Sequence, residues 1–135
     1  MARSIPIGVR GDAEENVEFK HTLTAHDPAL PPVYSTPDMI RLMEIACFNA
    51  LQPFCDAGEI TVGTAINVEH RVATGIGMRI RAEAELESFD GRFYRLRVTA
   101  QDGEHEIGSG TISRALVNLP KFLARLKEKA ARRSR

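Results

Sequence analysis

The stretch PDMIRLMEIACFNALQ, residues Pro37 to Gln52, decides the architecture, because it must be a helix and cannot be a surface one. Proline suits a first helical position, where its missing N–H costs nothing, and Asp38 complements the positive end of the helix dipole. Pro53 then stops the run. Between Ile40 and Leu51 only Arg41, Glu44 and Asn49 interrupt the apolar residues. A helix that is apolar nearly all round is buried nearly all round, so another element must wrap it.

Working outward, the residues that follow supply the wrapping. Thr61–Val72, Met78–Phe89, Arg92–Gln101 and His105–Val117 read as strands, separated by Ala73–Gly77, Asp90–Gly91 and Asp102–Gly103. Both Asp-Gly pairs are hairpin signals, so the four strands make an antiparallel meander. Upstream, Val17–Ala25 alternates weakly and is expected to be an opening strand. His26–Pro37 contains Pro28, Pro31, Pro32 and Pro37, which excludes regular structure and predicts a loop or lid. Pro120–Arg133 closes the chain as an amphipathic helix, with Phe122, Leu123, Leu126 and Ala130 on one side. A sheet curled around one hydrophobic helix is the hotdog arrangement, of the α+β class. With no linker, repeat or low-complexity tract, a single domain spanning residues 1–135 is expected.

Bulk properties narrow the function. Hydrophobic residues make up 43% and charged residues 27%, as in a soluble globular protein. No apolar run approaches the roughly 20 residues that span a bilayer, and the stretch from Met1 to Asp12, with Arg3 its early cation, lacks the apolar core of a secretory signal. A cytoplasmic protein with no membrane partner is expected. The formal charge is zero, which gives no argument for nucleic acid, although Lys121–Arg135 carries seven cations against Glu128. Those cations complement the dipole at a helix C-terminus and are expected to be solvated. Cys47 and Cys55 form no C-x-x-C and no metal-ligand cluster, so no metal is expected, and Cys47 reads as a buried reduced thiol.

A few residues stand out from this scaffold. Glu44 shares its helix face with Ile40, Cys47, Phe48 and Leu51, where a desolvated carboxylate would be a ready general base or nucleophile. His70 falls on the apolar face of its strand, with Val62, Thr64, Ile66, Val68 and Val72, while Gly63 falls on the other. Thr36, immediately before Pro37, is placed to cap the helix. Gly63 interrupts a strand, as a bulge or a close ligand approach would require. Arg114 follows the small-residue stretch Gly108–Thr111 and could hold a phosphate or form an ion pair. There is no P-loop, G-x-S-x-G, dinucleotide fingerprint or zinc motif.

Together these residues carry a resemblance. T-x-x-x-x-x-L-M-E-x-A-C over residues 36–47, G-T-A-I-x-V-x-H over 63–70, D-G-x-x-E-I-G-S-G-T-x-x-R-A over 102–115 and the closing L-x-K-F over 119–122 are similar to the fluoroacetyl-CoA thioesterase family. The resemblance runs from about Val33 to the C-terminus. It implies a hotdog homodimer with active sites at the subunit interface, acting on a small acyl-CoA, with no cofactor beyond the CoA of the substrate. It implies catalytic roles for Thr36, Glu44 and His70, and substrate or CoA contacts from Gly63, His70 and Arg114. In the fluoroacetyl-selective member the segment before the helix carries an aromatic lid. Here Asp27–Val33 offers Leu30 and no ring, and Tyr34 is the nearest aromatic, so a fluoroacetyl preference and a broader short-acyl or aryl-acyl range both stand.

The reaction implied is thioester hydrolysis. Glu44 would act on water or accept the acyl group, His70 would transfer protons, and Thr36 would polarise the carbonyl or accept the acyl group. The helix N-terminus could meet charge on the carbonyl oxygen. Were Thr36 to Glu44 wholly helical, their eight-residue separation would span about 12 Å, too far for contact within one subunit. Two other functions fit the same scaffold: a non-catalytic acyl-CoA-binding dimer, and a hotdog enoyl-CoA hydratase, although no paired Asp and His on one loop suits the latter.

Overall fold

A computed structural model describes residues 4–133 of the chain. Arg3 and Arg135, which entered the reading of the two termini, lie outside the described residues. The buried helix, α2, runs Thr36–Leu51, continued by a single 3-10 turn at Gln52–Phe54. Ahead of it, Leu23–His26 forms a one-turn helix, α1. Met39, Leu42, Met43, Ala46, Cys47, Ala50 and Leu51 of α2 are buried. Each large apolar side chain among them contributes about 1.5–3 kcal/mol on leaving water. Burial is not complete all round, for Ile45 stays 39% exposed.

The strands are β1 (Arg10–Asn16), β2 (Glu59–His70), β3 (Arg79–Phe89), β4 (Phe93–Gln101) and β5 (Glu106–Asn118). They form one antiparallel sheet in the order β1-β3-β4-β5-β2, leaving β1 and β2 at its edges. α2 lies across the sheet against β1 and β3. Core side chains Ile80, Ala82, Ala84 and Leu86 of β3 alternate with exposed charges, as a sheet covered on one face requires. The β3–β4 turn has Gly91 at positive φ, and Asp90 Oδ1 accepts from the amides of Arg92 and Phe93; Asp102 and Gly103 repeat the device between β4 and β5.

The four later strands are not one meander: β2 pairs with β5 rather than with β3, and only β3, β4 and β5 follow one another as neighbours. Two further expectations change. The opening strand is not Val17–Ala25, which instead holds a 3-10 turn at Phe19–His21 and the helix α1. It is the polar segment RGDAEEN of β1. The inner side of that edge strand meets α2 closely at Gly11 and again at Glu15, which pairs with Arg41. A side chain at Gly11 would collide with the backbone of Ala46 and Ala50, so the close approach needs glycine. The second change is in β2, where the register against β5 shifts between Gly63 and Ala65. The extra residue, Thr64, reverses the alternation, so Gly63 and His70 share the helix-facing side despite their odd separation.

The terminal helix α3 (Leu119–Arg133) forms as expected, but none of its side chains is buried. No helix among the described residues is long and apolar enough to cross a membrane.

Candidate active site

The chain enters α2 through a clamp. Tyr34 N donates to Thr74 O at 2.8 Å and Ser35 N to His21 O at 2.8 Å, while Val33 bridges Gly75. Thr74 and Gly75 lie just past the end of β2, so the clamp sets the first turn of α2 beside His70. Thr36 is the first helical residue rather than the cap. Ser35 takes that role, its Oγ accepting from Asp38 N at 3.1 Å and donating to Asp38 Oδ2 at 2.5 Å. The Thr36 hydroxyl is thereby left for another partner, and it lies 2.8 Å from His70 Nδ1. With Pro37 lacking an N–H and Asp38 N occupied by Ser35, this helix end has fewer free donors than its dipole alone suggests. The Thr36 hydroxyl stands at its mouth, beside His70.

Burial pushes the His70 imidazole below its ordinary range, and the Val72 backbone opposes the shift. The ring is therefore neutral at pH 7, fit to accept or pass a proton. Its Nε2 is buried and makes no hydrogen bond among the described residues. Such an atom normally has one, so its capacity is open to a substrate, a water or a second subunit.

A second group sits further along α2. Glu44 Oε1 lies 3.4 Å from Arg114 Nη1. Arg114 is 6% exposed, and its guanidinium is fixed from behind by Nε to Thr61 Oγ1 at 2.9 Å and by Nη2 to Thr61 O at 2.6 Å. Burial holds the Arg114 pKa below its usual value, with the Glu44 charge pulling the other way. Gly63 completes the group. A Cβ at that position would run into Glu44 Oε1, so the carboxylate lies directly over the strand backbone. Glu44 is thus less isolated than its helix face suggests: a cation meets it, and about a third of its side chain reaches solvent (34%). Arg114, for which the sequence left a phosphate contact and an ion pair open, has its guanidinium turned inward onto the Glu44 carboxylate. Cys47, one turn from Glu44, is fully buried, and loss of water pushes its thiol up to about 12, which makes it an inert neighbour.

The structure therefore brings Thr36 to His70, and Glu44 to Gly63 and Arg114, but keeps the two groups apart. α2 is continuous from Thr36 to Leu51, and eight helical residues rise about 12 Å. Sequence reasoning missed Thr61, which anchors Arg114, and Ser35, which frees Thr36. The run Tyr34-Ser35-Thr36-Pro37 did hold a signal for the latter, since two hydroxyls precede the proline and only one can cap.

Comparison with known proteins decides the family. A sequence model of the fluoroacetyl-CoA-specific thioesterases matches residues 17–119, which include every residue of both groups. The chain belongs to the fluoroacetyl-CoA-specific thioesterase family. It is 46% identical over 99 residues to the fluoroacetyl-CoA thioesterase of Streptantibioticus cattleyicolor, covering 73% of this chain and 71% of that one. A solved fluoroacetyl-CoA thioesterase superposes with a TM-score of 0.86 at 38% identity, over 94% of this chain and 98% of the other. A thioesterase-superfamily protein of Thermus thermophilus superposes at 0.90 with 28% identity, over 98% of each chain. The fold is that of the hotdog thioesterases, and the chain is a thioester hydrolase.

Proposed function

We propose that this enzyme hydrolyses a small acyl-CoA thioester at two composite sites of a homodimer, each formed by Thr36 and His70 of one subunit with Glu44, Gly63 and Arg114 of the other. The observation that carries this reading is the separation of the two groups at opposite ends of an unpaired edge. β2 is an edge strand, and Gly63–Asn67 in its middle are exposed, including Ile66 at 46%. A bare strand edge with an apolar residue is a template for a second strand. A two-fold axis pairs identical patches, and antiparallel pairing of two β2 edges about Ile66 or Asn67 would bring Gly63 within a register step of the partner's His70. The helix-facing sides match as well, because the bulge at Thr64 has already turned Gly63 and His70 to the same side.

The chemistry follows from placing a thioester between the groups. Glu44, paired with Arg114, takes a proton from water as the oxygen attacks the carbonyl carbon. The Thr36 hydroxyl, held by His70 Nδ1, donates to the carbonyl oxygen where negative charge develops. When the tetrahedral species collapses, the C–S bond breaks and the proton on Glu44 passes to the departing thiolate. One water and one thioester thus give a carboxylic acid and free CoA. Arg114 Nη1 lies next to the space over Gly63, so its substrate contact is at the thioester end rather than at the phosphates. No cofactor enters this scheme beyond the CoA of the substrate.

The 2.8 Å contact of Thr36 with His70 also suits a second route: Nδ1 takes the threonine proton as Oγ1 attacks, the C–S bond breaks, the thiolate takes that proton, and water then hydrolyses the Thr36 ester. The experiment follows thiol release from acetyl-, fluoroacetyl-, butyryl- and benzoyl-CoA, with mass spectrometry of quenched enzyme. Turnover of the small acyl groups without an acyl-enzyme supports direct hydrolysis, and an adduct on Thr36 supports the second route. Tight binding of all four with no thiol released would refute the proposal.

A further inference from the structure

Behind the Thr36–His70 pair lies a polar cluster that the proposed chemistry does not use. Tyr34 is 1% exposed, and its ring stands edge-on to His70 with centroids 6.5 Å apart. The hydroxyl donates to Glu15 Oε2 at 2.6 Å. Glu15 points inward from β1, and Arg41 of α2 holds both its oxygens through Nη2, at 2.5 and 2.7 Å. His21 closes the far side, edge-on to Tyr34 at 6.3 Å with Nε2 3.6 Å from Glu15 Oε1. The cluster joins β1, the helix entry and α2 at one point.

Apolar residues could fill the same volume. An inward carboxylate on an edge strand and a buried phenol both cost desolvation, offset here only because each meets the other and Arg41. What the arrangement secures is orientation. The Tyr34 backbone is fixed by the clamp to Thr74, and the Glu15 tie fixes the ring, so the face that Tyr34 turns to His70 cannot rotate away. Tyr34 is thus no lid over the acyl group, although it is the aromatic nearest to the lid segment.

We infer that Tyr34, tied down by Glu15 and Arg41, is a positioning residue that holds the His70 imidazole toward Thr36 and keeps water from its buried side. The inference rests on the reading of Thr36 and His70 as site residues. Around His70 the charged and titratable groups are Glu15, Arg41 and His21 beyond the Tyr34 ring, and Asp38 in the first turn of α2. Asp38 is bound to Ser35 and lies 3.8 Å from His26 Nε2. Glu69 and Arg71 flank His70 on the opposite side of the strand, where Arg71 pairs with Glu106. Of these groups, the Tyr34 ring stands edge-on to the imidazole, beside the Thr36 hydroxyl.

The test compares Tyr34→Leu, Tyr34→Phe and Glu15→Leu in the full-length protein, reading kcat, KM, thermal midpoint and the 15N resonances of the His70 ring. Tyr34→Leu should lower kcat about tenfold or more with KM little changed, as loss of orientation does. The His70 titration should then rise toward the ordinary imidazole value as water enters. Tyr34→Phe keeps the ring, so the titration should hold while kcat falls by a smaller factor. Glu15→Leu, remote from the reacting atoms, should act like Tyr34→Phe. Unmoved His70 resonances in Tyr34→Leu overturn the inference, as does a rate loss that only tracks the folded fraction. Should Tyr34→Leu fail to fold, a kcat unchanged in both Tyr34→Phe and Glu15→Leu overturns it. A His70→Ala enzyme of full activity, beside resonances that do respond, would sink the site assignment and leave the positioning intact.

Discussion

Gly63→Ala isolates the placement of the Glu44 carboxylate from its chemistry. The added methyl would overlap Glu44 Oε1, lie 3.2 Å from Cδ, and lie 3.7 Å from Arg114 Nη1. Carbon and oxygen settle near 3.5 Å, so the carboxylate must retreat by about 1 Å or more. It can do so, because the side chain is partly exposed and ends in a flexible group. The 3.4 Å contact with Arg114 is then lost. Alanine also restrains the unfolded chain, worth roughly 0.4–1 kcal/mol where the backbone permits it, so the thermal midpoint should barely move. A misplacement of that size costs about 10²-fold in rate, so kcat should fall nearly as far as in Glu44→Gln. The double variant should be hardly worse than either single one, because both remove one function. Thiol release and thermal melts on the same samples give the answer. A Gly63→Ala enzyme with unchanged kcat would refute the reasoning, for it would mean that the carboxylate need not stand where the structure puts it.

The pH dependence has a defined sign. Because burial lowers the folded pKa of His70 below 6.5, the acid limb of kcat/KM assigned to it should lie below that value; a limb above it contradicts the burial argument. Stability linked to this group should be unaffected above pH 6.5 and should decrease as pH falls below it, since the unfolded chain then binds the proton more readily. A His70→Gln variant should lose that slope. At the exposed edge, Ile66→Asp would set two carboxylates near the two-fold axis, so sedimentation should show monomer and activity should fall with it. A fully active monomer would end the composite-site proposal.

Much of the fold was legible because periodicity is strong where burial is strong. α2 and the strands β2 to β5 announce themselves through apolar runs, alternation and Asp-Gly turns, although the place of β2 beside β5 does not. β1 did not, because an edge strand with one small-residue face, Gly11 and Ala13 among charges, carries almost no hydrophobic signal. The bulge at Thr64 was invisible for a related reason: one inserted residue reverses a two-residue alternation without altering composition. Glu44 and His70 were legible as polar residues on apolar faces. The Arg41–Glu15–Tyr34 cluster was not, since its members lie 19 and 26 residues apart and meet only once β1 is in place.

Mixed dimers test the composite site most directly. His70→Ala and Glu44→Gln subunits are each prepared, unfolded together in equal amounts and refolded. If each site takes His70 from one subunit and Glu44 from the other, every heterodimer holds one site with both mutations and one with neither. Random pairing makes half the dimers heterodimers, so the mixture should regain about a quarter of wild-type activity from two nearly inactive parents. If each site instead drew both residues from one chain, every site would carry a mutation. The mixture would then stay as inactive as its parents, and the composite site would be wrong.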